Sequence, residues 1–199
     1  MIIKAIPAGI YDANCYILID EKTREGAIID PGGDELKLER IIKDLNFKPK
    51  FILLTHAHMD HVGGVEYLSK LLKIPFYMHE NEENYVENDS TVFGNIRKAD
   101  GFLKEDTKLN IGNLDIKVIH TPGHTQGGVC FLVDGKLFSG DTLFQGSIGR
   151  TDFPGGDMNT ILSSIKDKLL ILDDGVEVYP GHGPKTTIGF EKKINPFLN

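Results

Sequence analysis

The segment Thr55-His56-Ala57-His58-Met59-Asp60-His61 places three histidines and a carboxylate directly after the apolar run Phe51-Ile52-Leu53-Leu54. The chain holds only seven histidines, so this is a real concentration of ligand-type donors. Imidazole nitrogens mixed with carboxylate oxygens suit zinc, and also iron or manganese. A single His-x-His turn is most often a solvated surface feature. Three further donors shift that balance: His124 in Thr121-Pro122-Gly123-His124-Thr125, Asp141 in Gly140-Asp141-Thr142, and His182 in Pro180-Gly181-His182-Gly183. Each stands where an apolar, strand-like segment runs into a glycine-bearing turn, the position at which layered α/β proteins build sites.

If the chain stays extended past Leu54, His56 and His58 project to the same side, because side chains alternate with period two. Asp60 and His61 then fall at a helix entrance. The spacing is not the i, i+4 pair of a His-Glu-x-x-His helix, so the donors would come from a loop. His79 and His120 lie outside this pattern and are expected to be structural or exposed. Cys15 and Cys130 sit singly in apolar segments and read as buried, reduced thiols.

Short β-branched runs predict strands at Ile2–Ile6, Cys15–Ile19, Ala27–Ile29, Phe51–Leu54, Phe76–Met78, Ile116–Ile119, Val129–Val133, Leu137–Ser139 and Val176–Tyr179. Helical spacing recurs over Asp34–Leu45 (Leu36, Ile41, Ile42, Leu45), Val62–Leu72 and Asp157–Leu170, the last with Asp157 as its cap. No linker or low-complexity tract divides the chain, so residues 1–199 are expected to form one α/β domain. With 40% hydrophobic and 26% charged residues the composition is that of a globular protein. A net charge of −7 argues against nucleic-acid binding. No charged leader and no membrane-length apolar run is present, so the expected location is cytoplasmic, without membrane association.

Taken together, the motifs at 55–61, 121–125, 140–142 and 180–183 resemble the metallo-β-lactamase superfamily, in its order and over most of the chain. Asp30-Pro31-Gly32 resembles a further early turn of that family. The resemblance implies a four-layer αββα sandwich with two central mixed β-sheets and a two-metal site at one edge. It implies that His56, His58 and His124 hold one ion, that Asp60, His61 and His182 hold the second, and that Asp141 bridges them. Asp30 would support the ligands or simply form its turn. The cofactors implied are two divalent ions, zinc first, with iron or manganese as alternatives. A hydroxide held between them would attack an acyl carbon, with Asp60 orienting it.

Within that superfamily, residues 140–157 and the terminal Asn195-Pro196-Phe197-Leu198 resemble small glyoxalase II-like hydrolases. The implied substrate is a small-molecule hydroxyacyl thioester of the S-lactoylglutathione type. The additional C-terminal helical domain that binds glutathione in full-length glyoxalase II is not expected here. Arg150 is a candidate for a substrate carboxylate, which a guanidinium can grip bidentately, and equally for an ion pair with Asp152. The competing reading is a persulfide dioxygenase with one iron on His56, His124 and Asp141. A non-catalytic metal-binding module is the remaining alternative. A β-lactamase would more often carry Cys or Ser in place of Asp141.

Overall fold

A computed structural model describes residues 1–89 and 91–198. Its first half contains strands β1 (Ile2–Ala8), β2 (Ala13–Ile19), β3 (Glu25–Ile29), β4 (Lys48–Leu53), β5 (Phe76–His79) and β6 (Gly101–Leu103). They form one sheet in the order β1-β2-β3-β4-β5-β6, antiparallel up to β3 and parallel beyond it. Parallel neighbours need crossovers. Helices α1 (Glu35–Leu45), α2 (Met59–Val62), α3 (Val65–Leu72) and α4 (Glu80–Asn88) supply them.

The second half contributes β7 (Lys108–Ile111), β8 (Leu114–His120), β9 (Val129–Val133), β10 (Lys136–Gly140), β13 (Glu177–Pro180) and β14 (Thr186–Thr187). Their order is β14-β13-β10-β9-β8-β7, with β10 and β13 parallel and the other pairs antiparallel. A small hairpin, β11 (Leu143–Phe144) with β12 (Ser147–Ile148), leaves the end of β10. Helices α5 (Met158–Ser164) and α6 (Ile188–Ile194) cover this sheet, α5 continuing into a π-helical turn over Ile165–Leu169.

Two-residue alternation sorts the strand side chains into three cores. Ile17, Ile19, Ile28 and Ile52 pack outward with Leu38, Ile42, Val65 and Leu68 of the first helical layer. Their neighbours Tyr16, Leu18, Ala27, Ile29, Phe51 and Leu53 face inward against Val118, Phe131 and Phe138 of the other sheet. Ile119, Cys130 and Leu137 turn the opposite way, onto Ile161, Ile165 and Ile188. Strand stretches buried on both faces read as unbroken apolar runs, which is why β2 spells Cys-Tyr-Ile-Leu-Ile after Asn14. The result is the expected four-layer αββα sandwich with two mixed sheets.

Three local expectations change. Leu36 is 74% exposed, and α1 instead buries Leu38 and Ile42. The helix expected over Val62–Leu72 is two helices separated at Gly63-Gly64, and that over Asp157–Leu170 changes pitch at Ile165. Asp157 does cap α5, its carboxylate accepting from Thr160 N at 2.7 Å. Cys15 and Cys130 are buried, unpaired thiols in opposite outer cores.

Candidate metal centre

In the second sheet β8 and β10 both run antiparallel to β9, and β13 runs parallel to β10, so all three end at one edge. His124 follows β8, Asp141 follows β10 and His182 follows β13. In the first sheet β3 and β4 run parallel and deliver Asp30 and the 55–61 loop. The two edges are stitched together by Val129 N donating to Thr55 O at 2.8 Å, Asn14 N to Gly181 O at 2.7 Å and the Tyr16 hydroxyl to Pro180 O at 2.7 Å.

The seven candidate residues therefore converge. His56, His58 and His124 form one group whose ligand atoms lie within 4.8 Å of one another, and Asp60, His61 and His182 form another. Asp141 stands between them. Its Oδ1 is 3.4 Å from His61 Nε2, while its Oδ2 is 3.7 Å from His124 Nε2 and 3.8 Å from His182 Nε2. The His56 ring centroid is 4.2 Å from that of His61, so the two groups are contiguous. Gly181 leaves the room for this. A Cβ there would lie 2.2 Å from Asp141 Oδ1 and 2.7 Å from His61 Cε1.

Bonds behind the rings fix their orientation. His124 Nδ1 donates to the Arg150 carbonyl at 2.8 Å. His61 Nδ1 donates to Asp30 Oδ2 at 3.0 Å. His56 Nδ1 lies 3.1 Å from the Thr55 hydroxyl, which itself donates to Asp30 Oδ2 at 2.5 Å. A ring that donates from Nδ1 presents its Nε2 lone pair on the other side, the arrangement used by metal-ligating histidines.

The electrostatics favour neutral donors in the first group. Burial, followed by the charges of neighbouring histidines, pushes His56 well below the ordinary imidazole range. The same causes push His58 down to about 3. Burial also lowers His124. In the second group burial opposes the charge on His61, but the Asp141 and Asp30 carboxylates outweigh it and raise that imidazole. Asp141 is held far below the usual carboxylate range: burial works against its charge, and His61, His124 and His182 overcome that.

Among the described residues, five buried side-chain polar atoms make no hydrogen bond, and four of them are His56 Nε2, His58 Nε2, His61 Nε2 and Asp141 Oδ1. Each unsatisfied buried group costs about 1–3 kcal/mol. Cations shared among the His56, His61 and Asp141 lone pairs would remove that cost there, and His58 faces His124 Nε2 through its Nδ1 at 3.0 Å, so the donor set fits a pair of ions.

A cavity of about 410 Å³ opens over the cluster, its walls including Tyr11, Met59, Val92, Arg150 and Phe153. Arg150 pairs with both Asp152 oxygens, at 2.8 and 2.7 Å, and lies 3.6 Å over the Phe153 ring. Tyr11 and Val92 carry no motif, and only the fold brings them to the cavity. His79 and His120 stand apart from the cluster and stack on each other at 4.2 Å, as structural residues.

An αββα sandwich with two adjoining His/Asp groups at its edge defines a metal-dependent hydrolase. The chain belongs to the metallo-β-lactamase superfamily, whose family model matches residues 8–182. A hydroxyacylglutathione hydrolase, GloC of Haemophilus influenzae, is 39% identical over 100% of this chain and 99% of its own. Among solved structures, the B3 metallo-β-lactamase BLEG-1 aligns with a TM-score of 0.91 at 40% identity, over 99% of both chains. A di-iron-bound protein, TTHA1623, aligns with a TM-score of 0.88 at 36% identity, over 98% of this chain and 100% of its own. The protein is thus an enzyme of this superfamily with a binuclear metal-binding catalytic site.

Proposed function

We propose that this enzyme hydrolyses hydroxyacyl thioesters of the S-lactoylglutathione type, using two divalent ions, zinc ahead of iron or manganese. His56, His58 and His124 would hold one ion, Asp60, His61 and His182 the other, and Asp141 both. The observation that carries the hydrolytic reading is the Asp141 carboxylate, placed between the two histidine groups at the floor of the cavity. The thioester is supported by the whole-length similarity to a hydroxyacylglutathione hydrolase.

Bound there, the ions supply Lewis acidity at the acyl oxygen and lower the pKa of water to about 7. The protein supplies the rest. Asp60 lines the cavity with Oδ2 3.1 Å from His182 Nε2, so its carboxylate stands beside the second group, where it would orient the attacking water. Phe153, edge-on to His58 with centroids 5.7 Å apart, is an apolar wall that limits bulk water. Arg150 at the rim is the group we assign to a substrate carboxylate. Water adds its oxygen to the acyl carbon, the C–S bond breaks, and the thiolate leaves with a proton from that water. Two buried, unpaired thiols suit a reducing compartment, so we place the enzyme in the cytoplasm.

Metal analysis of protein purified from its native cells, with a thioester assay on the same sample, tests this. Two ions per chain with rapid thiol release is the expected result. His56, His124 and Asp141 also make a two-histidine, one-carboxylate set, which serves non-haem iron oxygenases. One iron per chain with oxygen uptake on glutathione persulfide would overturn the thioester reading in favour of that chemistry. Preferential opening of a β-lactam would overturn it as well.

A further inference from the structure

Helix α4 is strongly polar, yet Glu82 in its first turn is completely buried. Burying a carboxylate is costly unless its oxygens are satisfied. Here both accept from backbone: Oε2 from Ala57 N at 2.8 Å and Oε1 from Gly127 N at 2.8 Å. Ala57 lies between His56 and His58, and Gly127 lies three residues beyond His124. One side chain therefore joins the two loops that carry the three-histidine group. The bond from Val129 N to Thr55 O joins the bases of these loops, and Glu82 joins them nearer the imidazoles.

The fit is close. A Cβ on Gly127 would lie 2.7 Å from Glu82 Cγ and 2.7 Å from its Oε1. Nothing larger than glycine leaves the carboxylate in place. Among the described residues, no corresponding link runs from Glu82 to the loop bearing His182.

We infer that Glu82 is a positioning residue that sets the separation of the 56–58 and 124–127 loops, and with it the metal affinity of the His56, His58, His124 group more than that of the Asp60, His61, His182 group. The inference rests on the reading that this group holds an ion, and it is independent of the substrate. A glutamine at position 82 keeps one acceptor but turns an N–H₂ toward a backbone N–H, so one loop is released.

The test is zinc retention by the full chain during dialysis against graded chelator, read by metal analysis, in two backgrounds. His182→Ala leaves the three-histidine group as the intact cluster, and His58→Ala leaves the Asp60, His61, His182 group. Adding Glu82→Gln should weaken retention about 10–100-fold in the first background, the usual effect of removing a group that orients ligands. In the second the weakening should be clearly smaller, because Glu82 reaches that group only through the shared 55–61 loop. Gly127→Ala, whose Cβ would press on the Glu82 carboxylate and on its backbone N at 2.9 Å, should repeat the pattern, so the test survives if Glu82→Gln fails to fold by circular dichroism. Equal weakening in both backgrounds would mark Glu82 as generally structural and overturn the proposal, as would unchanged retention in the first. A His182→Ala parent that keeps no zinc would overturn the three-histidine reading itself, before Glu82 is altered.

Discussion

The Asp30 carboxylate accepts from His61 Nδ1 at 3.0 Å and, through the Thr55 hydroxyl, also reaches His56. One buried acid thus orients an imidazole in each metal group. Its other oxygen accepts from Thr55 N at 2.7 Å, which holds the start of the histidine loop against the turn after β3. Asp30→Ala should lower metal affinity about 10–100-fold, as loss of an orienting carboxylate does. Thr55→Val should cost less, because only the His56 branch is cut. Chelator competition on both variants checks the order, and an Asp30→Ala protein that binds zinc like the parent would refute the coupling.

On the proposed ligand assignment Asp141 is the group shared by both ions, so Asp141→Asn should disturb both, whereas His58→Ala should disturb one. Both variants should stay folded, since neither side chain belongs to any of the three apolar cores. Thioester turnover should fall to background in each, with the circular dichroism spectrum unchanged. Two tightly held ions and full turnover in Asp141→Asn would defeat the ligand assignment.

Much of this arrangement was legible in the sequence because each donor closely follows buried apolar residues at a strand's end, as Phe51-Ile52-Leu53 of β4, Val118-Ile119 of β8 and Leu137-Phe138 of β10 show. A histidine or aspartate just past such an end stands out. Helix α4 left no such trace: Glu-Asn-Glu-Glu-Asn-Tyr-Val-Glu-Asn has no apolar stripe, and it starts where His79 Nδ1 accepts from Asn81 N. The three-residue β6 and two-residue β14 are too short for alternation to register. The places of Tyr11 in the cavity wall and of Glu82 between two loops depend on which loops the two sheets bring together, and no local pattern encodes that.

Among the described residues, the Arg150 side chain is anchored by an exposed pair with Asp152 and by its contact with Phe153. Exposed pairs contribute about 0–1 kcal/mol, so a substrate carboxylate can displace Asp152. Losing a hydrogen bond to a charged group costs about 1.5–3 kcal/mol, or roughly 10–100-fold. Arg150→Ala should therefore raise KM by that factor with kcat little changed, and Asp152→Asn should lower KM. Steady-state kinetics separates the two, and an unchanged KM in Arg150→Ala would remove this residue from the binding site.

The terminal Asn195 has a structural explanation in Glu191, which is fully buried on α6. Glu191 accepts from Gly146 N at 2.9 Å, Thr186 Oγ1 at 2.6 Å and Asn195 Nδ2 at 2.8 Å, and Asn195 Nδ2 also donates to Ser147 O at 3.1 Å. The C-terminal helix thereby clamps the β11–β12 turn that follows Asp141. Glu191→Ala strands the Gly146 and Thr186 donors, at about 1–3 kcal/mol each. Urea unfolding of the metal-free protein should show a loss of about 3 kcal/mol, with Glu191→Gln intermediate. A midpoint within error of the parent would show that the clamp contributes nothing.

At the far edge, Asp20 ties the turn after β2 to the turn between β7 and β8. It accepts from Asn113 N at 2.9 Å, Asn113 Nδ2 at 2.9 Å, Lys22 N at 3.0 Å and the Thr23 hydroxyl at 3.0 Å. The Asn113 and Lys22 backbone bonds lead the causes that hold its carboxyl down at about 2. In the unfolded chain the value is about 3.9. A depressed folded pKa means that the carboxylate's contribution is fully present above about 3.9 and is lost as pH falls through about 2. Asp20→Asn should therefore be less stable than the parent at pH 6, with the gap narrowing as pH drops from about 4 toward 2. Urea midpoints of the metal-free proteins across that range measure it, and a gap that stays constant with pH would mean that Asp20 acts through packing and not through its charge.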